Sequence, residues 1–222
     1  MKIKTIAAAV ALLGGVSGAM AITVAGTHFD IDYTGTGLFG APSIVGDAIV
    51  WLPSGFVANT TSGVALVDST FVMTITAKAG WSLTSFGLVE GGDYTYYGAG
   101  NVVGAGGELR VTNLASLAPT MIDNIDVTSG PFVVQPTLIP FPTHKWTAAA
   151  GVNLSTTKAS ATIENLLFAA AADTTALDYA FIQKKDLVLS VGVSPVPEPE
   201  TVAMLLAGLG ALGFLARRRP RD

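Results

Sequence analysis

Two carboxylates, Glu90 and Asp93, stand either side of the glycine doublet Gly91-Gly92. A pair of acids facing one another across a cleft is the arrangement that cleaves glycosidic bonds, although hairpin ends carry acidic residues for solvation alone. His28, Asp30 and Asp32 recur at every second position. A strand would aim all three to one side, where imidazole and carboxylate together suit a metal ion, and the same rule lines up ordinary solvated side chains. Asp123-Asn124-Ile125-Asp126 offers oxygen ligands to calcium but lacks the glycine and distal glutamate of an EF-hand loop, so a turn held by its Asx side chains is the simpler reading. Cysteine is absent, which leaves only serine or threonine with His28 or His144 for nucleophilic catalysis, and the body has no G-x-S-x-G elbow. Trp51, Trp81, Tyr94, Tyr96, Tyr97 and Trp146 could present flat faces to sugar rings. Trp81 and Trp51 are read as core, and the three tyrosines, beside glycine turns, as the better surface candidates. On these patterns no catalytic, cofactor-binding or metal-binding residue is assigned, and no cofactor is expected.

These side chains depend on the strands that carry them. Phe29, Ile31 and Tyr33 alternate with Asp30 and Asp32, and Phe71, Met73, Ile75 and Ala77 alternate with Val72, Thr74, Thr76 and Lys78, the period of half-buried strands. Further short strands are expected around Pro53-Ser54-Gly55. Gly91-Gly92 is read as a hairpin turn between residues 81–90 and 93–97. Gly98, Gly100 and the glycines at 104–107 are read as turns rather than as a phosphate loop. Phe132-Val133-Val134 reads as an edge strand in a proline-rich stretch. Residues 158–172 suit either helix or strand, and strand is chosen. Leu187, Leu189 and Val191 alternate in the last strand of the body. Short strands at roughly 8 to 12 residue spacing predict an all-β fold, an antiparallel β-sandwich over residues 22–193.

Between residues 22 and 196 there are thirteen acidic and six basic side chains, a net of −7 for the body, while the basic residues gather at the two ends. Nucleic acid is therefore not an expected partner, since its binding begins with a cationic surface. With no cysteine there is no disulfide, and the body must be held by its core.

The ends read as addresses. Lys2 and Lys4, an apolar run at 6–16, and Ala19-Met20-Ala21 are the three parts of a secretory signal peptide over residues 1–21, with Ala19 and Ala21 as the signal peptidase site. At the other end, residues 194–201 form a Pro/Glu linker in which Pro197, Glu198 and Pro199 are exposed and extended, because proline fixes φ and removes a donor. Residues 202–216 are apolar and rich in helix formers, and as a helix they reach roughly 22 Å against ~30 Å of hydrocarbon. A separate transmembrane helix is expected there. The basic end at 217–222, with Arg217, Arg218, Arg219 and Arg221, should stop transfer and remain cytoplasmic.

The order Pro197-Glu198-Pro199, short apolar helix and arginine cluster resembles the PEP-CTERM sorting signal of Gram-negative bacteria, a tail also labelled ice-binding protein C-terminal domain. That label describes the tail and implies nothing about ice. The resemblance implies recognition by an exosortase, an inner-membrane-anchored precursor, and delivery to the cell surface or extracellular matrix. A fainter likeness to the bodies of some proteins with this tail lies in Asn165-Leu166-Leu167-Phe168-Ala169 and Ala180-Phe181-Ile182-Gln183-Lys184-Lys185. The expected partners are signal peptidase, exosortase, transiently the inner membrane, and exopolysaccharide. A structural or binding role in the envelope or exopolysaccharide matrix is expected, with no enzymatic activity. The alternative is a secreted polysaccharide-acting hydrolase, a glycoside hydrolase, or a carbohydrate-binding module.

The mature protein is predicted to begin at Ile22, because Ala19 and Ala21 suit a signal peptidase pocket. Amino-terminal sequencing of exported material should return Ile22 first, and a retained Met1 would refute the cleavage.

Overall fold

The computed structural model describes residues 21–130, 132, 143–172, 177–197 and 199–217. Short strands come first: β1 (Ile22–Ala25), β2 (Phe29–Tyr33), β3 (Ser43–Val45), β4 (Ala48–Trp51) and β5 (Val57–Thr60). Long ones follow in β6 (Gly63–Ala77), β7 (Trp81–Tyr97) and β8 (Val102–Asn113), then β9 (Met121–Asn124) and β10 (Asp126–Ser129). The body closes with β11 (His144–Thr156), β12 (Lys158–Ala171) and β13 (Tyr179–Pro195), and helix α1 (Pro199–Arg217) follows.

The strands form two antiparallel sheets, one in the order β1-β2-β6-β12-β8-β9 and the other β10-β11-β7-β13-β4-β3, with β5 added alongside β13. Side chains alternate across each strand, so every second residue enters the space between the sheets. Phe29, Ile31 and Tyr33 are buried, as are Phe71, Met73 and Ile75, whereas Val72 faces solvent. The stretch at 158–172 is a strand, as chosen, pairing β6 on one side and β8 on the other. Its inward residues Ala159, Ala161, Ile163, Leu167 and Ala169 share one core with Trp51, Phe56, Phe86 and Trp146. Small side chains on the central strand leave room for these bulky ones, which is why alanine there does not signal a helix.

Several expectations are corrected. Gly91-Gly92 is no turn, since β7 runs through it and pairs with both β11 and β13. A Cβ on Gly92 would lie 1.8 Å from the Gln183 carbonyl oxygen, so glycine here admits a close backbone approach. The glycines at 104–107 likewise lie inside β8, where a Cβ on Gly104 would sit 2.0 Å from the Phe168 ring. Gly98 and Gly100 do make the turn between β7 and β8, at φ of 109° and 85°. Asp123-Asn124-Ile125-Asp126 is not a loop: it is where the chain leaves β9 in one sheet for β10 in the other, with Ile125 buried at the crossing. Of the edge strand expected at Phe132-Val133-Val134, the last two residues lie outside those described, and Phe132 is not in a strand. Phe132 itself packs edge-on against Tyr94, with ring centroids 5.0 Å apart.

At the carboxyl end, β13 continues to Pro195, paired with Trp81, beyond the expected edge of the body at residue 193. Helix α1 opens at Pro199 rather than at residue 202, because proline is well suited to the first helical position. Its side chains from Ala203 to Phe214 are all exposed. Among the described residues no helix is long and apolar enough to cross a membrane, so the transmembrane span expected at 202–216 is not met. Gly208, Gly210 and Gly213 dilute the apolar content of a run that is already short.

Gly92→Ala should cost about 3 kcal/mol or more, because backbone rather than a flexible side chain occupies the space. Gly87→Ala, with open space around it in the same strand, should stay within about 0.5 kcal/mol. Urea titrations of the two variants test the contrast, and equal midpoints would show that β7 and β13 do not approach so closely.

Candidate functional site

Three inward positions carry polar side chains where the strand period calls for apolar ones: Glu90 on β7, Lys184 on β13 and Asn165 on β12. They are 0%, 1% and 2% exposed. β7 and β13 are neighbours in one sheet and β12 lies inside the other, so the three groups meet across the core. Lys184 Nζ lies 2.5 Å from Glu90 Oε2 and donates a hydrogen bond to Asn165 Oδ1. The rings of Phe56 and Trp146 flank the amine at 5.3 and 5.8 Å from Nζ to their centroids, near enough for a cation-π attraction.

A bulge makes this inward lysine possible. The β7–β13 register shifts between Lys184 and Asp186, so the buried set changes from Ala180, Ile182 and Lys184 to Leu187, Leu189 and Val191. An extra residue at Lys185 thus reverses which parity faces the core. The irregular backbone is tied down on both sides. Lys184 N donates to the Phe56 carbonyl at 3.0 Å, and Trp146 Nε1 donates to the Gln183 carbonyl at 3.2 Å.

Burial sets the electrostatics. Removal from water pushes the Glu90 carboxyl above its ordinary range, while the Lys184 charge and its hydrogen bond draw it back. Burial likewise lowers the Lys184 ammonium to about 8, with Glu90 opposing the shift. Asn165 Nδ2, close enough to Glu90 to draw its carboxyl down, makes no hydrogen bond of good geometry, and neither does either Glu90 carboxylate oxygen, so Oε2 meets Lys184 as an ion pair. The site therefore holds a proton-sharing pair, an amide and unpaired polar atoms, all out of contact with water.

The other candidates are dispersed. Asp93 lies three residues from Glu90 in a continuous strand and so on the opposite face, where it meets Lys185 and accepts from Gln183 Nε2 at 3.4 Å. The two acids do not face one another across a cleft. His28 Nδ1 contacts Asp47 Oδ1 at 2.7 Å, Asp30 pairs with Lys78 at 3.4 Å, and Asp32 accepts from Thr23 Oγ1 at 2.5 Å. The three side chains weighed as a ligand trio are thus divided among separate partners. Among the described residues no three His, Cys, Asp or Glu side chains gather to hold a metal. Asp123 Oδ2 instead accepts the Gly151 N–H at 2.7 Å. Tyr94 and Tyr96 are buried, against the expectation of a surface platform, Trp146 is buried too, and Trp51 lies in the core as read. Trp81, expected in the core, is only half-buried and lies against the His28 ring at 4.0 Å between centroids.

Neither Lys184 nor Asn165 stands among the candidate residues that spacing picks out. The signal was present: each interrupts an apolar alternation, Asn165 between Ile163 and Leu167, and Lys184 after Ala180 and Ile182.

The tail begins against the body. Val196 N donates to the Gly80 carbonyl at 2.8 Å, so the turn between β6 and β7 fixes the start of the tail. Val196 and Pro197 then line a pocket of about 280 Å³ with Lys78, Gly80, Trp81 and Thr157. Ala21 is exposed just before β1, Pro199 opens α1 and Arg217 ends it. Ala19, Glu198, Arg218, Arg219 and Arg221 lie outside the described residues.

Glu90→Ala should cost about 3 to 5 kcal/mol, because it strands the Lys184 amine in an apolar core. Chemical denaturation measures this, and a loss below about 1 kcal/mol would mean that the lysine escapes to solvent unaided.

No curated protein matches the chain. Residues 195–219, which comprise the last residue of β13, the Pro-Glu-Pro sequence, α1 and the arginines up to Arg219, match the PEP-CTERM protein-sorting motif, and this tail supports an exported protein sorted by exosortase.

Proposed function

We propose that this chain is an exported protein of the cell envelope or exopolysaccharide matrix with a structural or binding role. Its tail would deliver it there after transient retention at the inner membrane. The observation that carries this reading is the sorting-motif match at residues 195–219. Support for a weak anchor comes from α1. Met204, Leu205, Leu206, Leu209, Leu212 and Phe214 are all at least half exposed. A helix apolar around its whole circumference needs a non-aqueous neighbour. Its 19 residues reach about 28 Å, and the arginines after it resist passage through the bilayer, so retention would be marginal and dependent on them. Support for a role other than hydrolysis is the dispersal of the acids: Glu90 is sealed in the core and Asp93 lies on the opposite face of the sheet.

Replacing Pro197, Glu198 and Pro199 together with alanine should leave full-length protein in the inner-membrane fraction. Neutralising Arg217, Arg218 and Arg219 should instead release unprocessed protein into the periplasm. Fractionation with antibodies to body and tail, in strains with and without exosortase, reads both results. Release that proceeds equally without that enzyme would overturn the assignment.

A further inference from the structure

We propose that Lys184 and Asn165 condense to an intramolecular isopeptide bond, with Glu90 as the proton-transfer group, so that β13 and β12 become covalently joined across the sandwich. The bond rests on the placement of three groups. The nucleophile Lys184 Nζ hydrogen-bonds the very amide it would attack, and Glu90 Oε2 lies 2.5 Å from that nitrogen. Asn165 Nδ2, the leaving group, has no hydrogen bond of good geometry holding it in place. Phe56 and Trp146 wall the amine, and all three reacting residues are at least 98% buried, so water does not compete for the carbonyl.

The step balances without any outside reagent. Lys184 begins as the ammonium and Glu90 as the carboxylate, and one proton passes from Nζ to Glu90. The neutral amine attacks Asn165 Cγ, and a bond forms between Nζ and Cγ. A second proton leaves Nζ and is delivered through Glu90 to Nδ2, the Cγ–Nδ2 bond breaks, and ammonia departs. What remains is a secondary amide beside a protonated Glu90. Holding amine and amide in contact replaces a bimolecular encounter, which is the largest obstacle to amide exchange between side chains in solution.

Burial favours each stage. It brings the lysine to about 8, so neutral amine is accessible near neutral pH, and it favours the protonated acid. Asp186, the remaining acid felt by both groups, acts on each in the direction of holding its proton. The reaction also removes what makes the site costly, since it annihilates two buried charges and discards the unpaired Nδ2. Asn165 and Lys184 are 19 residues apart in sequence but sit on strands of opposite sheets. In a chain without cysteine, this amide would do what a disulfide does elsewhere, and β13 is the strand that leads into the tail.

Intact-mass measurement of the folded, then denatured, full-length chain tests this. The wild type should weigh about 17 Da less than its sequence, the mass of one ammonia. Trypsin should fail to cut after Lys184, and cleavage at Asp178, between the two residues, should leave two fragments still joined. Lys184→Arg, which keeps the cation and loses the amine, and Asn165→Ala should both recover the full sequence mass. Glu90→Gln should form the bond about a hundredfold more slowly. A wild-type chain at its full sequence mass overturns the proposal whether or not the variants fold. So does an ammonia loss confined to Asn165 as a cyclic imide, which leaves Lys184 open to trypsin and the two fragments separable.

Discussion

Face-to-face packing of two antiparallel sheets is the constraint on which the rest of this molecule depends. With no disulfide, the body relies on apolar side chains that alternate into a single shared interior. The β6–β12 ladder keeps that alternation in step over more than a dozen residues, and the β7–β13 ladder keeps it in runs on either side of Lys185. A slip of one position in either would turn Phe71, Met73 and Ile75, or Leu187 and Leu189, toward water. Register is therefore strongly specified between the bulges, and the one at Lys185 is the departure that turns a charged side chain inward.

That bulge also connects architecture to chemistry. An extra residue in β13 lets Ala180, Ile182 and Lys184 share the core face with Leu187 and Leu189, although their parities differ. Gly92 on the adjacent strand gives the displaced backbone its space, and the Phe56 carbonyl and the Trp146 indole N–H satisfy the groups it frees. The result is an amine in an apolar interior with one acid and one amide as its polar neighbours. A buried ion pair of this kind is a poor source of stability by itself, because desolvation offsets most of its Coulomb attraction. The shape of the site is easier to understand as preparation for a reaction than as a structural ion pair.

The tail adds a second connection. Val196 is bonded to the turn at Gly80 and Pro197 lies in a pocket beside Trp81, so the sorting motif starts from a fixed point on the body. Force or handling applied to α1 is transmitted through β13, which is bonded along its length to β7 and for shorter stretches to β4 and β5. A strand held on both sides resists being peeled away better than an edge strand would.

Periodicity was enough to recognise β2, most of β6 and the end of β13, because a two-residue alternation needs no partner to be visible in Phe29-Asp30-Ile31 or Phe71-Val72-Met73. The sorting tail was legible for a similar reason: its order of Pro-Glu-Pro, apolar run and arginines is local and linear. Pattern could not show that Gly91-Gly92 lies inside a strand, since glycine serves equally at a turn and at a close backbone approach, and only the position of Gln183 decides between them. Nor could it separate the faces of Glu90 and Asp93, which follow from the continuity of β7. The meeting of Glu90, Asn165 and Lys184 depends on three strands from two sheets and on a one-residue bulge, none of which leaves a fixed spacing along the chain. The sequence by itself therefore determined the alternation and the address, both written over neighbouring residues. Tertiary structure alone decided which polar side chains share the core, because sheet order and register bring together residues that the chain keeps far apart.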